Sequence, residues 1–134
     1  MPDGKHILIV DDEKFLGVTV ADFLRDAKYR VSIAFDGSEV APILDREKVH
    51  LVLLDLVMPK LGGFETLAVI KKKSPETRVI ILTAFGSSEQ VQQAKKEGAD
   101  GFISKPFSVE KLLARVAEVL SGSAKGPFHE LGLE

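Results

Sequence analysis

Asp11-Asp12, Asp55, Thr83 and Lys105 are the residues whose chemistry stands out, because each is placed at or just beyond the end of a short apolar run. Asp11-Asp12 follow residues 7–10, Asp55 follows 51–54, Thr83 follows 79–82, and Lys105 comes shortly after Phe102-Ile103. Carboxylates brought close together repel, and their proton affinity rises unless a cation intervenes. An all-oxygen set without His or Cys suits a hard dication such as Mg²⁺. A carboxylate beside such an ion leaves room for a phosphoryl group, whose charge the ion also neutralises. In that arrangement Asp55 is a nucleophile that forms an acyl phosphate. Lys105 is a point charge for the phosphoryl oxygens, and the Thr83 hydroxyl donates to another.

Each residue also has an ordinary explanation. Asp11 and Asp12 can cap the following helix, Asp55 can open a turn before Pro59, Thr83 can be a strand-end hydroxyl, and Lys105 can be a loop lysine. Singly, those explanations are adequate. Together, at equivalent strand ends, they make coincidence the weaker account.

The elements that must position these residues are legible in the apolar pattern. Residues 7–10, 51–54 and 79–82 are continuously apolar, as strands buried on both faces are. Val31, Ile33 and Phe35 alternate with Ser32 and Ala34, the period of an edge strand, and Phe102-Ile103 mark a short fifth strand. Leu16, Val20, Phe23, Leu24 and Ala27 recur at helical spacing. Gly37-Ser38 open a short helix in which Pro42 is expected to cost an early backbone bond. A helix over about 63–73 ends at Ser74-Pro75, and another runs from Ser87, with Gln90 in a capping box, to near Gly98. Ser108 caps a last helix with Val109, Leu112, Leu113, Val116, Val119 and Leu120 on one face. Strands and helices alternating in this way predict an α/β fold: a doubly wound (βα)5 parallel five-stranded sheet, flavodoxin-like, in the order 2-1-3-4-5. That order places a topological switch between the first and third strands. Ligands bind there, outside the carboxyl ends of the strands.

Bulk properties narrow the function classes. A chain of 134 residues suits one domain, and a net charge of −2 gives no electrostatic reason for direct nucleic-acid binding. Without cysteine there are no disulfides, thiolate metal sites or cysteine nucleophiles. No apolar run approaches the ~20 residues of a membrane span, and the start does not read as a signal peptide, so a cytoplasmic protein with no membrane partner is expected. Residues 1–121 read as the domain and 122–134 as a C-terminal tail or truncated linker. His6, His50 and His129 are scattered and suggest no relay, and Glu13 and Lys14 read as the solvated start of the first helix.

The set of motifs Ile-Leu-Ile-Val-Asp11-Asp12-Glu, Leu-Leu-Asp55-Leu-Val-Met58-Pro59, Leu-Thr83-Ala84 and Gly98-Ala-Asp-Gly-Phe-Ile-Ser-Lys105-Pro106-Phe107 resembles the receiver domain of two-component response regulators, over about residues 5–121. The resemblance implies a phosphoacceptor signalling domain rather than a multiple-turnover enzyme. It implies that Asp55 takes a phosphoryl group from a sensor histidine kinase or phosphotransfer protein. It also implies Mg²⁺ held by Asp12, Asp55 and the backbone carbonyl of Val57, with Asp11 helping, and phosphoryl contacts from Thr83 and Lys105. A cis Lys105-Pro106 bond is expected. Thr83 and Phe102 are the expected switch, Phe102 standing where the family carries a rotating aromatic. The ring is expected to swing inward as Thr83 moves toward phosphate. The fourth helix, the fifth strand and the last helix are the expected output face. The thin apolar content of the fourth helix, Val91 and Ala94, agrees with an element of low local stability.

One departure concerns Val57 and Phe85. In family members polar groups at these positions can help orient the water that hydrolyses the acyl phosphate, so the apolar side chains here are expected to shield Asp55 and make dephosphorylation slow. A haloacid-dehalogenase-like phosphatase is a competing reading. It expects the nucleophile after the first strand in an Asp-x-Asp motif, whereas Asp55-Leu-Val follows the third and lacks the second acid. A module acting by binding alone is a further alternative, disfavoured by the complete acidic, Thr and Lys set. The expected output is a downstream protein target or a missing output domain, with the chain a monomer or a phosphorylation-dependent dimer.

Overall fold

Strands form where continuous apolar runs are predicted, and helices fill the intervals. The computed structural model describes residues 4–56, 62–84 and 88–121. The elements are β1 (His6–Val10), α1 (Lys14–Asp26), β2 (Arg30–Ala34), α2 (Val40–Arg46), β3 (Leu51–Asp55), α3 (Gly63–Lys73), β4 (Arg78–Thr83), α4 (Ser88–Lys96), β5 (Gly101–Ser104) and α5 (Val109–Ser121). A 3₁₀ turn, Gly37–Glu39, leads into α2. The five strands are parallel in the order β2-β1-β3-β4-β5, the order expected.

The sheet separates two apolar layers by strand alternation. Ile7, Ile9, Leu51, Leu53, Ile80, Leu82 and Ile103 pack with Val20, Ala21 and Leu24 of α1 and Leu112, Val116 and Val119 of α5. Their strand neighbours Leu8, Val10, Val52, Leu54, Val79, Ile81 and Phe102 pack on the other side with Val40 of α2, Leu67 and Ile70 of α3, and Val91 and Ala94 of α4. Both faces of the central strands are covered, which is why their sequence is apolar without interruption.

The structure revises several local expectations. The sheet-facing stripe of α1 is Gly17, Val20, Ala21 and Leu24; Phe23 lies outside that stripe and is 39% exposed, while Ala27 is the C-cap. Pro42 falls in the first turn of α2, where a missing backbone N–H is best tolerated. Phe35 follows β2 rather than belonging to it. Other signals hold. Ser108 Oγ accepts from the Lys111 N–H at 3.0 Å. Gly98 stops α4 with a positive φ of 105°, and the Ala99 N–H returns to the Ala94 carbonyl at 2.9 Å. Ser87, the predicted cap of α4, lies outside the described residues.

Gly63 fixes how α3 meets the end of β3. A Cβ there would lie 2.3 Å from Leu56 Cα, so the helix start can approach the backbone just beyond Asp55 only as glycine. The Glu65 carboxylate accepts from the Gly62 N–H at 3.1 Å and closes the first turn. Asp55 is thereby held between a buried strand and a helix start that has no room to shift.

Candidate functional site

Asp11 continues β1 by one further sheet bond, its N–H donating to the Ala34 carbonyl at 3.1 Å. One carboxylate oxygen accepts from the Glu13 N–H at 2.9 Å and the other from Lys105 Nζ at 2.9 Å. Asp11 is not the cap of α1, whose N-cap is Glu13; its side chain instead closes the turn before the helix and faces Lys105. Asp55 ends β3, is buried, and pairs in register with Leu82. Thr83, one residue further along β4, is buried on the same rim and pairs with Ser104. The Lys105 N–H donates to the Thr83 carbonyl at 3.0 Å, so the threonine and the lysine share a backbone link. The Lys105-Pro106 peptide is cis, as expected.

Lys105 is the centre of the arrangement. Its ammonium donates to Asp11 at 2.9 Å, Glu13 at 3.0 Å and Asp55 at 3.1 Å, and its side chain is only 11% exposed. Burial alone would push the ammonium toward its neutral form. The hydrogen bonds it donates to Asp11 and Glu13, the charge of Asp11 and the hydrogen bond it donates to Asp55 outweigh that and hold its pKa above the ordinary lysine value.

Asp11, Asp12 and Asp55 each present a carboxylate oxygen within 4.8 Å of the others. Mg²⁺ takes carboxylate oxygens and keeps several waters, so these three side chains could hold it. The donors are oxygen only, which matches a hard dication. The remaining metal ligand expected from the sequence, the Val57 carbonyl, lies outside the described residues. So does Phe85, and with it the expected shielding of Asp55.

Phe102 is buried among the α4-side core residues and pairs in register with Ile81. Its ring is already inside, which is the position an ordinary core phenylalanine takes.

Two features escaped the sequence reading. Glu13 is not merely solvated, because its carboxylate reaches Lys105; the only signal was a third acid directly after Asp11-Asp12. His6 and His50 are not scattered either. The His6 N–H donates to His50 Nδ1 at 3.0 Å and the His50 N–H to the His6 carbonyl at 2.9 Å, at the amino ends of β1 and β3, away from the acidic rim. His129 lies outside the described residues.

A groove of about 370 Å³ opens beside the rim, lined by Glu13, Leu16, Ala84, Lys105, Pro106 and Phe107. Phe15, on the first turn of α1, is 86% exposed. Among the described residues no helix is long and apolar enough to cross a membrane.

Comparison with known proteins converges on one family. The family model for the response regulator receiver domain matches residues 7–117. The chemotaxis protein CheY of Listeria monocytogenes is 38% identical over 120 residues, covering 89% of this chain and 98% of that protein. Response regulator RR06 of Streptococcus pneumoniae is 36% identical over 115 residues, but the match takes up 86% of this chain and only 52% of that protein. Among solved structures, a CheY-like response regulator receiver domain protein from Methanospirillum hungatei superposes with a TM-score of 0.85 at 31% identity, over 90% of this chain and 97% of that one.

Proposed function

The chain belongs to the response regulator receiver domain family of two-component signalling, and on that premise we propose that Asp55 is its phosphoacceptor, charged by the phosphohistidine of a sensor histidine kinase or phosphotransfer protein. The observation that carries this reading is the Lys105 ammonium, which lies 2.9 Å from Asp11 and 3.1 Å from Asp55 beside the acidic cluster. A carboxylate oxygen of Asp55 attacks phosphorus. The phosphorus–nitrogen bond breaks, its electron pair returns to the imidazole, and an acyl phosphate remains on Asp55. Lys105 then follows the charge from carboxylate to phosphoryl oxygen, and the Thr83 hydroxyl donates to a second oxygen. Asp11, Asp12 and Asp55, with the Val57 carbonyl, would hold Mg²⁺, which supplies neutralisation of the phosphoryl charge.

The groove along Leu16, Pro106 and Phe107, with Phe15 exposed nearby, supports donor docking on the α1 side of the rim. Output is assigned to α4, β5 and α5. Among the described side chains of α4, only Val91 and Ala94 are buried, which fits an element that shifts at small cost. Phe102 joins Thr83 in that switch, starting from its buried position. Moving a two-state equilibrium from 1:99 to 99:1 takes about 5.5 kcal/mol of differential contact. The output passes to a downstream protein or an appended output domain. The domain works in the cytoplasm as a monomer or a phosphorylation-dependent dimer. The long-lived phosphate expected from Val57 and Phe85 belongs to the same proposal.

Incubation with acetyl phosphate and Mg²⁺, followed by intact mass measurement, tests it. Wild type is expected to gain one phosphoryl group and Asp55→Asn none. An equal gain in both proteins would remove Asp55 from the reaction.

A further inference from the structure

Lys105 faces two demands in the site proposed above. Lys105 is the counter-ion of Asp11 and Asp55, both buried. Those same carboxylates, with Asp12, form the oxygen cluster that suits a dication. An ammonium and a dication competing for the same oxygens repel each other, so Lys105 opposes metal entry unless it has somewhere else to go. Simple expulsion into solvent is unfavourable to the later chemistry, which needs the ammonium close at hand.

Glu13 supplies the alternative. Its carboxylate is 3.0 Å from Lys105 Nζ, it is an ammonium partner outside the Asp11–Asp12–Asp55 cluster, and its side chain is 62% exposed. The exposure matters because a solvated carboxylate can move with the ammonium, whereas Asp11 is held by its bond from the Glu13 N–H and Asp55 by the end of β3. The position is also fixed by the fold. Glu13 is the N-cap residue of α1, and the bond from its N–H to Asp11 sets it opposite the β5–α5 turn that carries Lys105.

We infer that Glu13 is a positioning residue that holds the Lys105 ammonium at the edge of the site while Asp11, Asp12 and Asp55 take up the divalent cation. The inference rests on the acidic cluster being the metal site of the proposed function. Glu13 does not touch the metal; it lowers the cost of moving Lys105 off Asp11 and Asp55. As an exposed ion pair it adds little to folding stability, so its effect belongs in metal affinity.

Calorimetric titration with Mg²⁺ alone, near physiological ionic strength, separates this role from a plain charge effect. Glu13→Gln is expected to weaken Mg²⁺ binding by about tenfold when Lys105 is present, an expectation of the size seen for coupled charges. In a Lys105→Gln background the same change is expected to cost about twofold, the residue of a screened charge acting through solvent. Glu13→Asp is expected to restore part of the loss. Equal weakening in both backgrounds would overturn the positioning role and leave only a through-space charge. So would no weakening in the Lys105-containing protein. Failure of wild type to bind Mg²⁺ at all would overturn the metal site itself and this inference with it, whereas wild-type binding with no Lys105-dependent coupling would overturn the inference alone.

Discussion

The two ends of the sheet both bury polar groups, and they satisfy them by opposite means. At the amino ends, His6 Nδ1 lies 3.1 Å from the Lys48 carbonyl, and its Nε2 lies 2.8 Å from Ser32 Oγ. Thr77 Oγ1 donates to the Val49 carbonyl at 2.7 Å, and Asp100 accepts from the Val79 N–H at 2.9 Å. These partners are backbone groups or hydroxyls held by the fold itself, and the charge of Asp100 is met by Lys71 at 3.4 Å and Arg78 at 3.5 Å. At the carboxyl ends, Asp11, Glu13 and Asp55 gather around Lys105, with Asp12 beside Asp11 and Asp55, and the charges there do not cancel. One end is complete once the chain has folded. In the proposed function the other is completed by a cation, and so responds to one.

The sharpest way to break that contrast is to add the cation. Mg²⁺ at a hundredfold excess over its dissociation constant is expected to stabilise wild type by about 2.7 kcal/mol, since it binds the folded state alone. Asp12→Ala, which removes a carboxylate from the cluster, is expected to abolish most of that gain. Chemical denaturation with and without Mg²⁺ measures both. A stabilisation that survives in Asp12→Ala would place the ion elsewhere.

A smaller effect is expected from the opposite end. Thr77→Val keeps the shape but leaves the buried Val49 carbonyl without its donor, at a cost of about 2 kcal/mol. The same denaturation series checks it, and the Mg²⁺-dependent gain should stay unchanged. A variant that lost stability and Mg²⁺ response together would show that the two ends are coupled.

The smallest effect concerns His50. Burial, and then the nearby positive charges of Lys5, Lys48 and Arg30, hold its pKa below the ordinary histidine value of about 6.5. Its Nδ1 also accepts from the His6 N–H, which requires the neutral ring on that side. The unfolded chain therefore binds the proton more readily than the folded one. The resulting stability is complete above about pH 6.5 and is lost as pH falls through the lower folded value. Glu47, 3.8 Å from His6 and 3.7 Å from Arg30, partly offsets the cations and stays in place in the comparison. His50→Asn offers an amide oxygen near the Nδ1 position and is expected to flatten this part of the stability–pH curve. An unchanged slope between about pH 5 and 7 would assign the titration to another group.

Local pattern was enough for strand order because burial on both faces is written directly into residues 7–10, 51–54 and 79–82. It was less reliable for α1. Phe23 looked like a core residue by type, yet Gly17 and Ala21 occupy the sheet-facing stripe, because a helix lying close on a sheet favours small side chains. Asp11, Asp55, Thr83 and Lys105 were legible as a candidate site because each lies at or just beyond the end of an apolar run. Glu13 was not, since a helix-start acid reads as solvated until a lysine 92 residues further along the chain is seen to reach it. His6 and His50 failed in the same way, being 44 residues apart and joined only by the register of β1 and β3.

By itself, then, the sequence determined a doubly wound sheet and the residue types at its switch point, because strand burial and strand ends are local properties of the chain. Tertiary structure decided which charge answers which. Lys105 bonds to Asp11, Glu13 and Asp55 because parallel strands and a backbone link to Thr83 bring their ends together. The strength of those pairs depends on burial and separation, and neither is present in the chain until it folds.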